Sequence, residues 1–177
     1  MRLLSRLKKK KKITPTPDNY AELFITNISN RLEQFDCNKS LSENYDKKRI
    51  SWELSGLLLF AIEWGLYIFF GINDDYKIIS ERVMVHRHGL ATHKLGETKA
   101  QEIIDYQNNR RDMYVAILRN ARPEKLKDNL NELVGLTFAT VCGYEDDETI
   151  KNLGIKYFIE TTDSIVTTLF DDYKEKV

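Results

Sequence analysis

Between Leu54 and Ile72 the chain reads LSGLLLFAIEWGLYIFFGI, apolar on nearly every side of a helix. A helix of that kind has two destinations, the centre of a bundle or a bilayer. Its length approaches the roughly 20 apolar residues that cross a membrane. Glu63 sits in its middle and Glu53 just ahead of it. A carboxylate at the centre of a bilayer costs several kcal/mol or must take up a proton. Burial among other helices accommodates the same residues without that penalty. The expectation is a central helix over residues 46–72, entered near Asn44 or Asp46 and stopped by Gly71 and Asn73. Lys47, Lys48 and Arg49 upstream would suit a cytoplasmic N-terminus, so a single-pass arrangement stays open as the alternative.

The rest of the chain can surround such an axis. Its 177 residues are one domain's worth, with 42% apolar and 31% charged content. Only three prolines, Pro15, Pro17 and Pro123, interrupt it, which favours long helices over many short strands. In the segment TPTPD, Thr16 can cap a helix, Pro17 suits its first position and Asp18 complements its dipole. Tyr20, Phe24, Ile28 and Phe35 then form a stripe that ends near Asp36, and residues 36–46 read as a loop. Asp74 and Asp75 open a third helix through Ile78, Ile79, Val83 and Met84, ending near Gly89. Its β-branched density leaves a strand over residues 76–88 as an alternative. Residues 89–97 hold two glycines and no periodicity, and read as a loop. A fourth helix follows from about Thr98, a fifth from Pro123 to Gly143, and a last one from Asp146–Glu148. The fold class is therefore all-α: an irregular antiparallel bundle of about six helices around the apolar one. The predicted organisation is a flexible basic leader, residues 1–15, and one helical domain, residues 16–177.

Charge narrows the partners. The 27 basic and 27 acidic residues cancel, which makes a broad basic face for nucleic acid improbable. The one asymmetry is the leader, where Arg2, Arg6, Lys8, Lys9, Lys10, Lys11 and Lys12 repel one another and stay solvated. Near an anionic membrane each would contribute about 1 kcal/mol, but Leu3, Leu4 and Leu7 bury too little to anchor alone. No secretory signal is expected, because the apolar residues after Met1 are too few. Cys37 and Cys142 fall in no metal-ligand or redox spacing and read as reduced thiols of a cytoplasmic protein, Cys142 in the core.

Candidate sites are few. Helical steps place Glu53, Gly56, Phe60, Glu63 and Tyr67 along one side of the central helix. Two acids there could share acid–base work or a metal. The plainer expectation is one polar edge, with Glu63 a buried carboxylate met by an arginine of another helix. His86, His88 and His93 cluster, yet on a helix His86 and His88 point about 160° apart, so a metal site needs the strand alternative. Arg87, His88 and Lys94 suit an anion or an acidic partner instead, or simply a solvated helix end. Arg110, Arg111 and Arg119 interleave with Tyr106 and Tyr114, either as a nucleic-acid strip or as an exposed face balanced by Glu102, Asp105 and Asp112. No phosphate-binding glycine loop, nucleophile elbow or paired Glu-x-x-His is present. No cofactor and no metal are implied.

The function expected from these residues is a non-catalytic helical module, an adaptor or inhibitor, that contacts another protein or itself. Its aromatic residues (8 Phe, 9 Tyr and 2 Trp) are the anchors such contacts favour. The alternatives are a membrane-associated protein, peripheral or single-pass, and a metal-dependent enzyme using Glu63 and the histidines from His86 to His93.

Overall fold

In the computed structural model, which describes residues 16–36, 41–120 and 123–174, the chain forms six helices. They are α1 (Pro17–Asp36), α2 (Lys47–Phe70), α3 (Asp74–Leu95), α4 (Glu97–Asn120), α5 (Pro123–Cys142) and α6 (Glu148–Lys174). No strand occurs among the described residues, so the helix expected over residues 76–88 stands and the strand alternative falls. The basic leader, residues 1–15, and Cys37 lie outside the described residues.

Local chemistry sets the helix ends. The amide of Asn19 donates to Thr16 Oγ1 at 3.2 Å, and the amide of Arg49 to Asp46 Oδ1 at 3.0 Å. Asn73 Oδ1 accepts from the Tyr76 amide at 2.9 Å, and Asp147 Oδ1 from those of Thr149 and Ile150 at 2.8 and 3.2 Å. Each satisfies a donor that the first helical turn leaves unpaired. Gly71 and Gly96 close α2 and α3 with φ of +64° and +79°, a backbone geometry that favours glycine.

One boundary differs from the sequence reading. Residues 89–97 are not a loop: α3 runs through Gly89 to Leu95, and only Gly96 separates it from α4. Leu90, Ala91, Lys94 and Leu95 line a cavity beside Ile25, Ile28 and Leu32 of α1, so this last part of α3 packs against a neighbour. Tertiary packing overrides the helix-weakening effect of Gly89.

Successive helices reverse direction, and α2 is the axis. Ile50, Leu54, Leu57, Leu58, Phe60, Ala61, Ile62 and Leu66 are all at most 1% exposed. Helix α6 runs parallel to α2: Phe60 stacks on Phe158, and further along both helices Gly65 lies against Ile165. Helix α4 is also parallel, with Ser55 bonded to Gln107 and Phe60 stacked on Tyr114. Helix α1 is antiparallel to α6, as the pairs Asn27–Ser164 and Arg31–Glu160 require. The aromatic stack Tyr114–Phe60–Phe158, with ring centroids 5.3 and 5.6 Å apart, ties α4, α2 and α6 together across the middle. Small residues permit the close approaches. A Cβ on Gly65 would lie 2.9 Å from Ile165 Cβ, and one on Gly154 would lie 2.7 Å from Phe138 Cβ.

At the end where α2 begins, two connections lock. Tyr45 donates its hydroxyl to Asp147 Oδ2 at 2.8 Å, Tyr144 accepts from the Asp46 amide at 2.8 Å, and the two tyrosine rings meet edge to face. At the opposite end Tyr67 and Ile68 in the last turn of α2, and Ile72 just beyond it, are 43%, 51% and 76% exposed.

Candidate functional site

Glu53, Ser55 and Glu63 of α2 face α4, as the shared stripe of Glu53 and Glu63 implied. Glu53 is 1% exposed and carries three hydrogen bonds. Arg110 Nε donates to Oε2 at 2.6 Å and Arg110 Nη2 to Oε1 at 3.0 Å, while Tyr106 donates to Oε1 at 2.5 Å. The guanidinium also lies over the Tyr106 ring, 4.9 Å from its centroid. Burial alone would lower the Arg110 pKa, but the bonds to Glu53 and Tyr106 outweigh it and hold it above its ordinary value. A two-pronged Arg–carboxylate pair with a phenol on one oxygen is a complete structural unit.

Nearly three turns further along α2, Glu63 Oε1 accepts from Arg111 Nη1 at 3.2 Å. Burial raises the Glu63 pKa, against the pull of the Arg111 charge. Arg111 also bonds Asp112 Oδ1 at 2.7 Å through Nη2. The arginine of another helix expected for Glu63 is therefore Arg111. Each acid has its own cation, and Glu53 and Glu63 do not share a site.

Between these pairs, from α3, comes Arg87. Its residue is 9% exposed, and Nη2 donates to Asn108 Oδ1 at 2.9 Å. Nε and Nη1 are buried with no hydrogen-bond partner. Burial, with the neighbouring Arg111 charge, pushes its pKa down to about 10, although Glu63 opposes the shift. Arg87 lines a cavity of about 210 Å³ between α1, α2, α3 and α4.

The sequence-predicted residues thus divide. Arg110 and Arg111 are half-buried and turn inward onto α2, Arg111 also pairs with Asp112 as the balanced-face expectation had it, and Tyr114 is 1% exposed. Charge balance along α4 pointed to Asp112 for Arg111 but could not reveal Glu53 and Glu63, which lie on another helix. Arg87, His88 and Lys94 do not form one patch. Arg87 points inward, His88 is exposed, and exposed Lys94 lines the same cavity as Arg87. The histidines lie on the α3 helix, and among the described residues no three His, Cys, Asp or Glu side chains stand close enough to hold a metal. Gln107 and Asn108 escaped the sequence reading. Neutral amides carry no charge pattern, and only the α4 register places them against Ser55 and Arg87.

A larger open hollow, about 480 Å³, lies beside the start of α2 and is lined by Lys48, Arg49, Trp52, Glu102, Ile103 and Tyr106 among others. Its charges are of both signs. Searches among protein-family models, curated proteins and solved structures found no match to this chain.

Proposed function

We propose that this chain is a non-catalytic helical module, an adaptor or inhibitor, that binds another protein through the end of the bundle where α2 finishes. The observation that carries the reading is the exposure of Tyr67, Ile68 and Ile72 at the tip of the most apolar helix. An apolar surface that the fold leaves open is a candidate contact, and tyrosine beside aliphatic residues is a favoured anchor composition. The acids and bases of α2 and α4 neutralise each other in pairs, which supports a structural role for them.

The test places a photo-crosslinking residue at Ile72, and as a control at exposed Glu22 on α1, in cells that naturally make the protein. Discrete protein adducts are expected at position 72 and not at position 22. They should vanish when Ile68 is changed to Asp, a surface change that leaves folding stability within about 0.5 kcal/mol. Equal adducts at both positions, or adducts indifferent to Ile68→Asp, would remove the reading.

One feature favours a second reading, contact with an anionic membrane. Helix α1 begins at this same end, and the basic residues from Arg2 to Lys12 precede it in the sequence. Together with Ile68 and Ile72 they would supply the two weak signals that stable surface attachment needs. Asp74 and Asp75, which follow Ile72 closely, oppose it by like charge. Helix α2 is long and apolar enough to span a bilayer, yet 67% of its most apolar window is buried in the bundle, which argues against a single-pass role. Sedimentation with phosphatidylserine vesicles at low and high salt separates the membrane reading from the first.

A further inference from the structure

Arg87 poses a chemical problem that the chain leaves open. A guanidinium has five N–H donors and no way to discard its charge near neutral pH. Here one nitrogen is bonded, to a neutral amide, while Nε and Nη1 are buried and unused. The neighbouring carboxylate, Glu63, is bonded to Arg111. Burying an unpaired charge is among the most expensive arrangements a fold can contain. The cavity that Arg87 lines is otherwise mostly aliphatic, with Ile25, Ile28, Leu59 and Leu90 on its walls. Ser55 and Gln107 contribute neutral polar groups, and Lys94 is the other cation on the wall.

We propose that this cavity is a binding site for a small organic monocarboxylate with an apolar body, its carboxylate on Arg87 and its body among the aliphatic side chains of α1, α2 and α3. One buried cation matches one negative charge. A phosphate, which has no apolar body, would leave the aliphatic walls unused. The volume of about 210 Å³ exceeds the roughly 150 Å³ at which an apolar protein cavity takes up benzene, so a body of benzoate or octanoate size fits.

The test uses the full chain, with octanoate and benzoate as probes, octanol as the uncharged match and inorganic phosphate as the bare anion. Both carboxylates are expected to raise the unfolding temperature and to bind in calorimetry, with octanol and phosphate inert. Arg87→Met should weaken octanoate by about ten- to a hundredfold, the loss of a charge-assisted hydrogen bond. Without ligand, Arg87→Met should be at least as stable as the native chain, because it removes an unpaired buried charge. If that variant does not fold, Arg87 is structural and the proposal is overturned. Ala91→Phe, which fills the cavity and leaves Arg87 in place, should abolish octanoate binding on its own. Carboxylates that leave the native chain unchanged, octanol binding as tightly as octanoate, or octanoate binding indifferent to Arg87→Met would each overturn it as well.

Discussion

At the level of single residues, the α2–α4 seam shows how a buried charge is tolerated. Glu53 is inaccessible but has three donors, so its desolvation is offset locally. Removing the cation alone leaves that carboxylate buried and uncompensated. Arg110→Met should therefore destabilise the chain by about 3–5 kcal/mol in urea unfolding. Adding Glu53→Met should recover a large part of the loss, and a double mutant no more stable than Arg110→Met would contradict the assignment. Glu63 has the opposite sign from an ordinary salt-bridged acid, because burial raises its pKa. The folded chain then binds its proton more tightly than the unfolded chain does. Stability should fall as pH rises from the ordinary carboxylate value through the raised one. Glu63→Gln should flatten that part of the pH–stability curve, and an unchanged slope would show that another group is responsible.

Among the elements, glycines mark which helices touch and which do not. Gly65 is where α6 closes onto α2, with Ile165 Cβ only 2.9 Å from the position of an added methyl. Gly89 lies inside α3 with nothing within 4 Å. The same substitution should thus move stability in opposite directions. Gly89→Ala should add up to about 1 kcal/mol from helix propensity and unfolded-state entropy. Gly65→Ala gains the same propensity but must push two buried helices apart, with a net loss of about 1–3 kcal/mol. Thermal unfolding of the two variants checks the pair, and gains in both would mean that the α2–α6 contact is loose. The extension of α3 past Gly89 belongs to this scale too. No local periodicity marks it, because what holds it is α1, brought alongside from far away in sequence.

For the molecule as a whole, cooperative burial around α2 makes a prediction about chemistry. Cys142 is 1% exposed, and burial pushes its thiol pKa well up, so it is neither accessible nor ionised in the folded chain. In a Cys37→Ser background, iodoacetamide should modify it only through unfolding, at a rate that tracks global stability across the variants above. Fast modification under native conditions would mean that α5 opens independently of the core.

The linear order of residues determined the helices, most of their ends and the identity of the axis. Caps, glycine stops and apolar periodicity act within a few residues, and Thr16, Gly71 and Gly143 are legible without any partner. A run as apolar as Leu54–Ile72 has to be enclosed by something. Only the tertiary structure decided which charges meet. The destinies of Arg87, Arg110 and Arg111 depend on the rotation and stagger of α2, α3 and α4, and a shift of one residue turns a side chain by about 100°. That is why three arginines that look alike in sequence became two neutralised pairs and one buried cation with donors to spare.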